Sequence, residues 1–544
     1  MDKRTLTAIL LMIILYMVFS QFVWKPQQIR QQQMKAAQVD SVKAPAPVQA
    51  VAKDSTVIAS PVDSLLQSDA QPATIKLSND LMTVYFNSKG ANIEQVELKK
   101  FLTHDKQPVR LIPDNSAIAD MKLIHPGSET ALGTTVFNYS ITPDSSSISF
   151  YLGNPNSPQV EKRFTLDKQY GIALQVSAQG MQAINGVEVD FSSGIADTEK
   201  VNKSKVQDYK FLVYADNEIQ KTALSKFKKK QPTATVNSFS WAAVRSKYFT
   251  LALKESEPSL MRNYRTGLNK ATGNPYFVVD SRQPNAKNSW SQSFTIYAGP
   301  TDYEILKTYG KQMDNIPERG VSWLRWLSNI FAWFLKFLHR YIHNYGVVLL
   351  IFALVMKLLL HPLTHKQMEH GFKQQKLQPK LQQIQKLYPN DRVKQQQEMN
   401  KLYKEYNTSP MAGCLPVLIQ FPIIIPLYNV LRYSLDMRNA TFVFWLKDLS
   451  EPDPYLVLPI IMGLFMILQS LMMRPPAMDE SQMDDKQKAM QSQQKMMTWM
   501  MPIMMFFIFK GMPAGLVLYW TAFNILSIVH QYYLNQHFKN KEIA

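Results

Sequence analysis

Six long apolar runs, at 5–24, 346–363, 414–431, 455–473, 496–509 and 514–533, set the first limit on how this chain can fold. A helix of about 20 apolar residues crosses the roughly 30 Å hydrocarbon core of a bilayer, and there the backbone must satisfy its own hydrogen bonds. The first run follows Lys3 and Arg4 and suits either a signal peptide or a signal anchor. Because "SQFVWKPQQ" offers no small-x-small cleavage site, it is read as an anchor that keeps the N-terminus cytoplasmic. Six crossings then return the C-terminus, with Lys539 and Lys541, to the cytoplasm. The expected fold is an α-helical polytopic membrane protein of six spans.

The segment between the first two spans has another texture. Residues 25–60 are rich in Gln, Ala, Val, Pro and Lys without sustained periodicity and read as a flexible linker. Over 61–320, short alternating runs such as "ATIKLSNDLMTVYFNSKGANIEQVELKKF" are separated by Asn, Gly, Pro and Ser, the pattern of an antiparallel β domain. The basic cluster "KFKKK" at 226–230 reads as a solvated loop.

Residues 321–344, "VSWLRWLSNIFAWFLKFLHRYIHN", place Ser322, Arg325, Asn329, Lys336, Arg340 and His343 on one helical stripe and cover the rest with Trp, Leu and Phe. That describes an amphipathic helix in the membrane interface. Were it a seventh span, the basic segment that follows would be sent outside, against the positive-inside rule. The last region, 345–538, holds five spans and a polar, basic hairpin at 364–410. There Met368, Phe372, Leu377, Leu381, Ile384 and Leu387 form a seam, "YPND" breaks it, and Val393, Met399, Leu402 and Tyr406 resume it. Residues 539–544 form a short basic tail.

The net charge of +18 suits an anionic partner: nucleic acid, acidic lipid or ribosomal RNA. A single cysteine, Cys414, excludes a disulfide framework. No G-x-x-x-x-G-K-[ST] motif occurs, so nucleotide hydrolysis is not expected. No Asp or Glu falls in any of the six runs, which counts against an ion-coupled transporter, and no Ser-His or Asp-Asp dyad there supports an intramembrane protease.

Lys357 is the exception in the second run. A lysine at the centre of a membrane helix costs roughly 2.5–3.5 kcal/mol on insertion scales. Its stem could nearly bridge the ~9 Å to the cytoplasmic end, so snorkelling and a watered cavity both remain open from spacing alone. The run 414–431 contains Pro416, Pro422 and Pro426 with the amide of Gln420, and the run 496–509 carries six methionines. Methionine can repack against many apolar partners, or simply face lipid as filler.

"HPLTHKQ", "LQPKLQ", "LYKEYNTSPMAGCLPVLIQFPI", "DLSEPDPYLVLPIIMG" and "PAGLVLYWTAFNILSIVHQ" closely resemble the YidC family of membrane protein insertases, and "YFNSKGANIEQVELKKF" resembles the start of the periplasmic domain of its Gram-negative members. The resemblance implies a five-helix insertase core with a hydrophilic groove open to cytoplasm and lipid, and a periplasmic β-supersandwich. It places the groove cation at Lys357, where members usually carry arginine, and groove contacts at Gln420, Tyr519 and Trp520. It places a substrate-sliding face at Ile424, Met501, Met505 and Ile508, where some relatives have aromatic residues in place of Ile424 and Ile508. Ala353 stands where a groove threonine is found.

The implied partners are nascent membrane proteins, the lipid bilayer, the Sec translocon and the ribosome. No DNA, cofactor, metal or enzymatic step is implied. The implied location is the bacterial inner membrane with both termini cytoplasmic. The alternatives are an ion-coupled transporter and a membrane-anchored periplasmic sugar-active domain. Fold alone does not carry sugar chemistry.

Overall fold

In the computed structural model, residues 71–154, 157–199, 205–227, 234–235, 238–256, 260–388, 391–406, 415–472 and 499–539 are described. The anchor run and the linker lie outside them, as do residues 228–230 of the basic cluster.

Alternating sequence becomes alternating burial in the first half. Met82–Asn87 buries Met82, Val84 and Phe86 and leaves the residues between them half-exposed. This strand sits in a four-stranded antiparallel sheet running from Thr74–Ser78 to Pro108–Arg110. A second, 13-stranded sheet is centred on two long antiparallel strands, Gly171–Phe191 and Pro275–Pro300. Register shifts between Gln179 and Gly186 let the long pair bend. One aromatic and aliphatic core joins the sheets, with Phe86 against Phe164 at 4.9 Å between ring centroids.

The β domain closes on a salt-bridge cluster at its exit. The Glu318 carboxylate accepts from Lys210 Nζ at 2.5 Å and lies 3.4 Å from Arg245 Nη2, while Arg245 Nη1 donates to the Ile316 carbonyl at 2.8 Å. Burial works against ionising Glu318, but Arg245 and Lys210 outweigh it and hold the carboxyl down at about 2, against an ordinary 4.5. A depressed folded-state value contributes stability above the ordinary carboxylate range and loses it as pH falls through about 2. We therefore expect Glu318→Gln to cost on the order of 3 kcal/mol at neutral pH and only a small remnant of that at pH 2, because glutamine resembles the protonated acid. Thermal melts of both proteins across pH 2–7 check this. A gap that stays constant over that range would exclude the ion pair as its source.

Among the described residues, eight α-helices follow. The first, α1 (Arg325–His339), points Phe331, Leu335 and Ser328 inward. Trp326, Ile330, Trp333 and Phe337 remain exposed. Its polar stripe contacts protein: Arg325 Nη1 donates to Asn315 at 2.9 Å, and Lys336 Nζ lies 3.7 Å from Asp302 and 3.9 Å from Asp436. The exposed aromatic side has the amphipathic character of an interfacial helix.

Asn344 caps α2 (Tyr345–Leu359) by accepting from the backbone N–H groups of Gly346 and Val347. Gly346 is required there, since a Cβ would come within 2.0 Å of the Phe442 ring. α3 (His361–Leu387) and α4 (Arg392–Glu405) form the hairpin, with Asp391 capping α4. Leu377 and Leu381 pack with Tyr403, whereas Leu387 and Val393, both expected in the seam, are exposed. The two helices meet away from the turn, so among the described residues no opposite face covers the positions that flank it.

α5 (Leu415–Tyr433), α6 (Val457–Met472), α7 (499–509) and α8 (Ala514–Lys539) complete the set. α8 packs against α2 and α6, and α5 packs against α1. Among the described residues, no helix is long and apolar enough to cross a membrane, so the six expected spans are not displayed. α2 ends at Leu359, where Leu360 caps it and Pro362 opens the next helix; α6 begins only after Leu456, which holds a left-handed φ of 60°. Local caps thus shorten the ordered helices relative to the apolar runs.

The β domain and the helices are joined by buried charge. Arg432 Nη2 lies 3.1 Å from Asp208, Arg438 Nε 2.9 Å from Glu199, and Lys247 Nζ 3.0 Å from Glu451. Tyr433 donates to the same Asp208 at 3.1 Å.

Candidate functional site

The helical spacing of α2 decides where its lysine points. Val347, Leu350, Leu354 and Leu358 form its exposed side, and Tyr345, Leu349, Phe352, Ala353 and Met356 its buried side. Lys357 falls with the second group and is only 6% exposed. Its ammonium donates to Ser527 Oγ on α8 at 2.8 Å and sits 5.0 Å from the Phe523 ring centroid. No ion pair to Lys357 forms among the described residues.

α8 meets this cation with a polar stripe. Trp520, Asn524, Ser527 and Gln531 are spaced four, three and four apart and therefore share one face. Asn524, Ser527 and Gln531 are all buried. Trp520 Nε1, Asn524 Nδ2, Gln531 Oε1 and the neighbouring Tyr519 hydroxyl are buried without a hydrogen-bond partner among the described residues. A buried polar atom left unpaired costs about 1–3 kcal/mol, so a row of them is stable only where water or a polar guest can reach it. The opposite side of α8 exposes Ile525, Val529 and Tyr532. The outer surface of α6 likewise exposes Ile460, Leu464, Leu468 and Leu471. The bundle thus exposes apolar side chains on its outside and sets this polar stripe within an otherwise apolar core.

Of the residues implied to line the groove, Lys357 and Tyr519 lie together, linked through Phe523, and Phe352 packs on Tyr519 at 5.7 Å between centroids. Trp520 packs on Phe509 of α7 at 5.3 Å between centroids. Gln420 falls in α5, and its side chain is outside the described residues. Along the expected sliding face, Met501 is exposed, Met505 and Ile424 are half-buried, and Ile508 is buried in the helical core. Met496 and Met497 lie outside the described residues. Asn524, Ser527 and Gln531 were missed from the sequence, although their helical spacing inside an apolar run was the available signal.

The model of the "60Kd inner membrane protein" family matches residues 337–541, and that of the "YidC periplasmic domain" matches 74–334. The chain is 30% identical to the membrane protein insertase YidC of Syntrophus aciditrophicus over 573 residues, covering 98% of this chain and 100% of that one. The chain belongs to the YidC family of membrane protein insertases. The YidC of Geotalea daltonii is also 30% identical, over 98% of this chain and 99% of its own. A solved structure described as an active YidC insertase with its first transmembrane domain resolved covers 85% of this chain and 93% of its own at 18% identity, with a TM-score of 0.37. The lysine, the polar stripe of α8 and the hairpin all fall within the segment that the 60Kd inner membrane protein model matches.

Proposed function

We propose that this chain is a membrane protein insertase which receives nascent hydrophobic segments in the polar interior beside Lys357 and releases them sideways into lipid. The observation that carries this reading is the buried Lys357–Ser527 contact on a stripe of unpartnered polar atoms, inside helices clad in exposed Leu, Ile and Met. A short polar tail of a substrate must cross a layer that costs about 2.5–3.5 kcal/mol per charged group, and a watered cavity with one cation shortens the dry distance. The apolar segment then leaves by transfer into lipid, and no covalent step is involved.

In this reading the chain crosses the bacterial inner membrane six times, with both termini cytoplasmic and the β domain periplasmic. The signal anchor is 1–24, the linker 25–60, the β-supersandwich 61–320, the interfacial helix 321–344 and the insertase core 345–538. The α3–α4 hairpin faces the cytoplasm and is a receiving platform for the substrate or ribosome, its surplus of Lys and Arg suiting RNA or acidic lipid. Work alongside the Sec translocon belongs to the same reading. Gln420 joins Lys357, Tyr519 and Trp520 in the groove, and Met501, Met505, Ile424 and Ile508 guide the exit.

Reconstitution tests it. Vesicles containing only this chain should insert a small single-span substrate, and protein-free vesicles should not. A photo-crosslinker at exposed Met501 on α7 should capture a stalled substrate, whereas one at Leu464 on the outside of α6 should not. Equal capture at the two positions would remove the assigned exit face, and no insertion above the lipid background would remove the function.

A further inference from the structure

One turn beyond Lys357, three imidazoles converge. His361 and His365 lie four residues apart at the start of α3 and so share a face, and His530 reaches them from α8. Ring centroids are 4.6 Å apart for His361 and His530, 5.7 Å for His365 and His530, and 5.6 Å within the α3 pair. One nitrogen from each residue lies within 4.8 Å of the other two. Both ring nitrogens of His530 are buried without a hydrogen-bond partner among the described residues. His530 is half-buried as a residue, and an imidazole always offers at least one donor or acceptor, so two buried ring nitrogens with no partner leave positions open to a ligand.

We propose that His361, His365 and His530 form a binding site for a divalent transition metal that prefers imidazole, with Zn2+ as the reference ion. Three neutral imidazoles and no carboxylate select Zn2+, Co2+, Ni2+ or Cu2+ over Mg2+ and Ca2+, which require oxygen ligands. Tetrahedral zinc needs its nitrogens about 3.3 Å apart, given bonds of about 2.0–2.1 Å, so the rings must close by no more than about 1.5 Å. Rotation about the side-chain torsions of His361, which is exposed, and of His365, which is half-buried, supplies that movement. The fourth position is left to water or another small ligand.

The bound ion ties the start of α3 to α8 next to the Lys357–Ser527 contact, bracing the two helices that flank the cation. The site works against the Lys357 ammonium, four residues from His361, because two positive centres repel. Removing that charge must therefore tighten metal binding, a response not shared by a site elsewhere on the chain. None of this rests on the insertase reading, and its test uses no transport assay.

The full chain, purified in detergent without a polyhistidine tag, is titrated with Co2+ and followed by visible absorption, with Zn2+ as competitor. The expected result is one Co2+ per chain with the intense bands of tetrahedral coordination, displaced by Zn2+. His530→Gln abolishes the bands. The double variant H361Q/H365Q, which removes two of the three ligands and leaves His530 in place, abolishes stoichiometric binding as well. Lys357→Met tightens it severalfold, and His339→Gln, in the other i,i+4 histidine pair of the chain, changes nothing. Failure of the wild-type chain to bind Co2+ or Zn2+ at micromolar concentrations overturns the proposal, as does stoichiometric binding that survives H361Q/H365Q.

Discussion

Replacing Lys357 with glutamine should reduce insertion of a substrate whose translocated tail carries an acidic residue by roughly thirtyfold, while a matched neutral-tail substrate changes less than about twofold. A carboxylate ~8 Å from the ammonium at an effective dielectric of about 20 is attracted by about 2 kcal/mol, and losing that attraction gives the larger factor. The contact with Ser527 makes this a sharp test. The ammonium points into the bundle and the residue is 6% exposed, so a role as a headgroup anchor would require the side chain to turn around. Lys357→Arg should retain most activity, since charge and reach are kept, although guanidinium geometry at Ser527 differs. The measurement is the protected fraction of each substrate in reconstituted vesicles. Equal losses for both substrates would assign Lys357 to packing, and no loss for either would remove it from the site.

Asp208→Ala should destabilise the joint between the β domain and the helices by about 3–5 kcal/mol, because it leaves Arg432 buried without its carboxylate. Asp208 is 1% exposed and Arg432 8%, so water cannot readily replace the lost partner. Replacing both, as in Asp208→Ala with Arg432→Met, should recover much of the loss, since the desolvated cation is removed with its anion. Thermal unfolding with limited proteolysis between the two regions reads the effect. The single variant should melt earlier and be cut sooner; a melt matching wild type would mean that the pair does not hold the joint.

The neighbouring pairs share the load. Burial opposes the charge on Lys247, but Tyr248 and Glu451 hold its ammonium above the ordinary lysine range. Arg438 reaches both Glu199 and the Leu102 carbonyl. These contacts fix the end of α5 and the α5–α6 connection against the β domain.

The β domain was legible because strand periodicity is local: buried and exposed positions alternate within each strand, as in Met82–Asn87, whatever the strand pairs with. The same holds for the hairpin, whose break at "YPND" falls where α3 ends and Asp391 caps α4. Local pattern failed at the edges of that hairpin. Leu387 and Val393 continue the apolar spacing, yet among the described residues no helix packs over them, while Tyr403, which lies outside the expected seam, is buried.

For the site, the sequence by itself determined that one cation sits in an apolar run without an acidic companion. Tertiary structure alone decided where it points. Snorkelling and burial of Lys357 are indistinguishable from spacing, because one stem can reach either the headgroups or the bundle interior; the choice comes from packing, which sets its buried face against Ser527 and Phe523. His361 and His365 are neighbours by helix geometry, but His530 lies 165 residues beyond His365 and joins them only because α8 packs along α2 and the start of α3. Periodicity records which residues share a face, whereas a cluster drawn from separate helices depends on how those faces are turned toward one another.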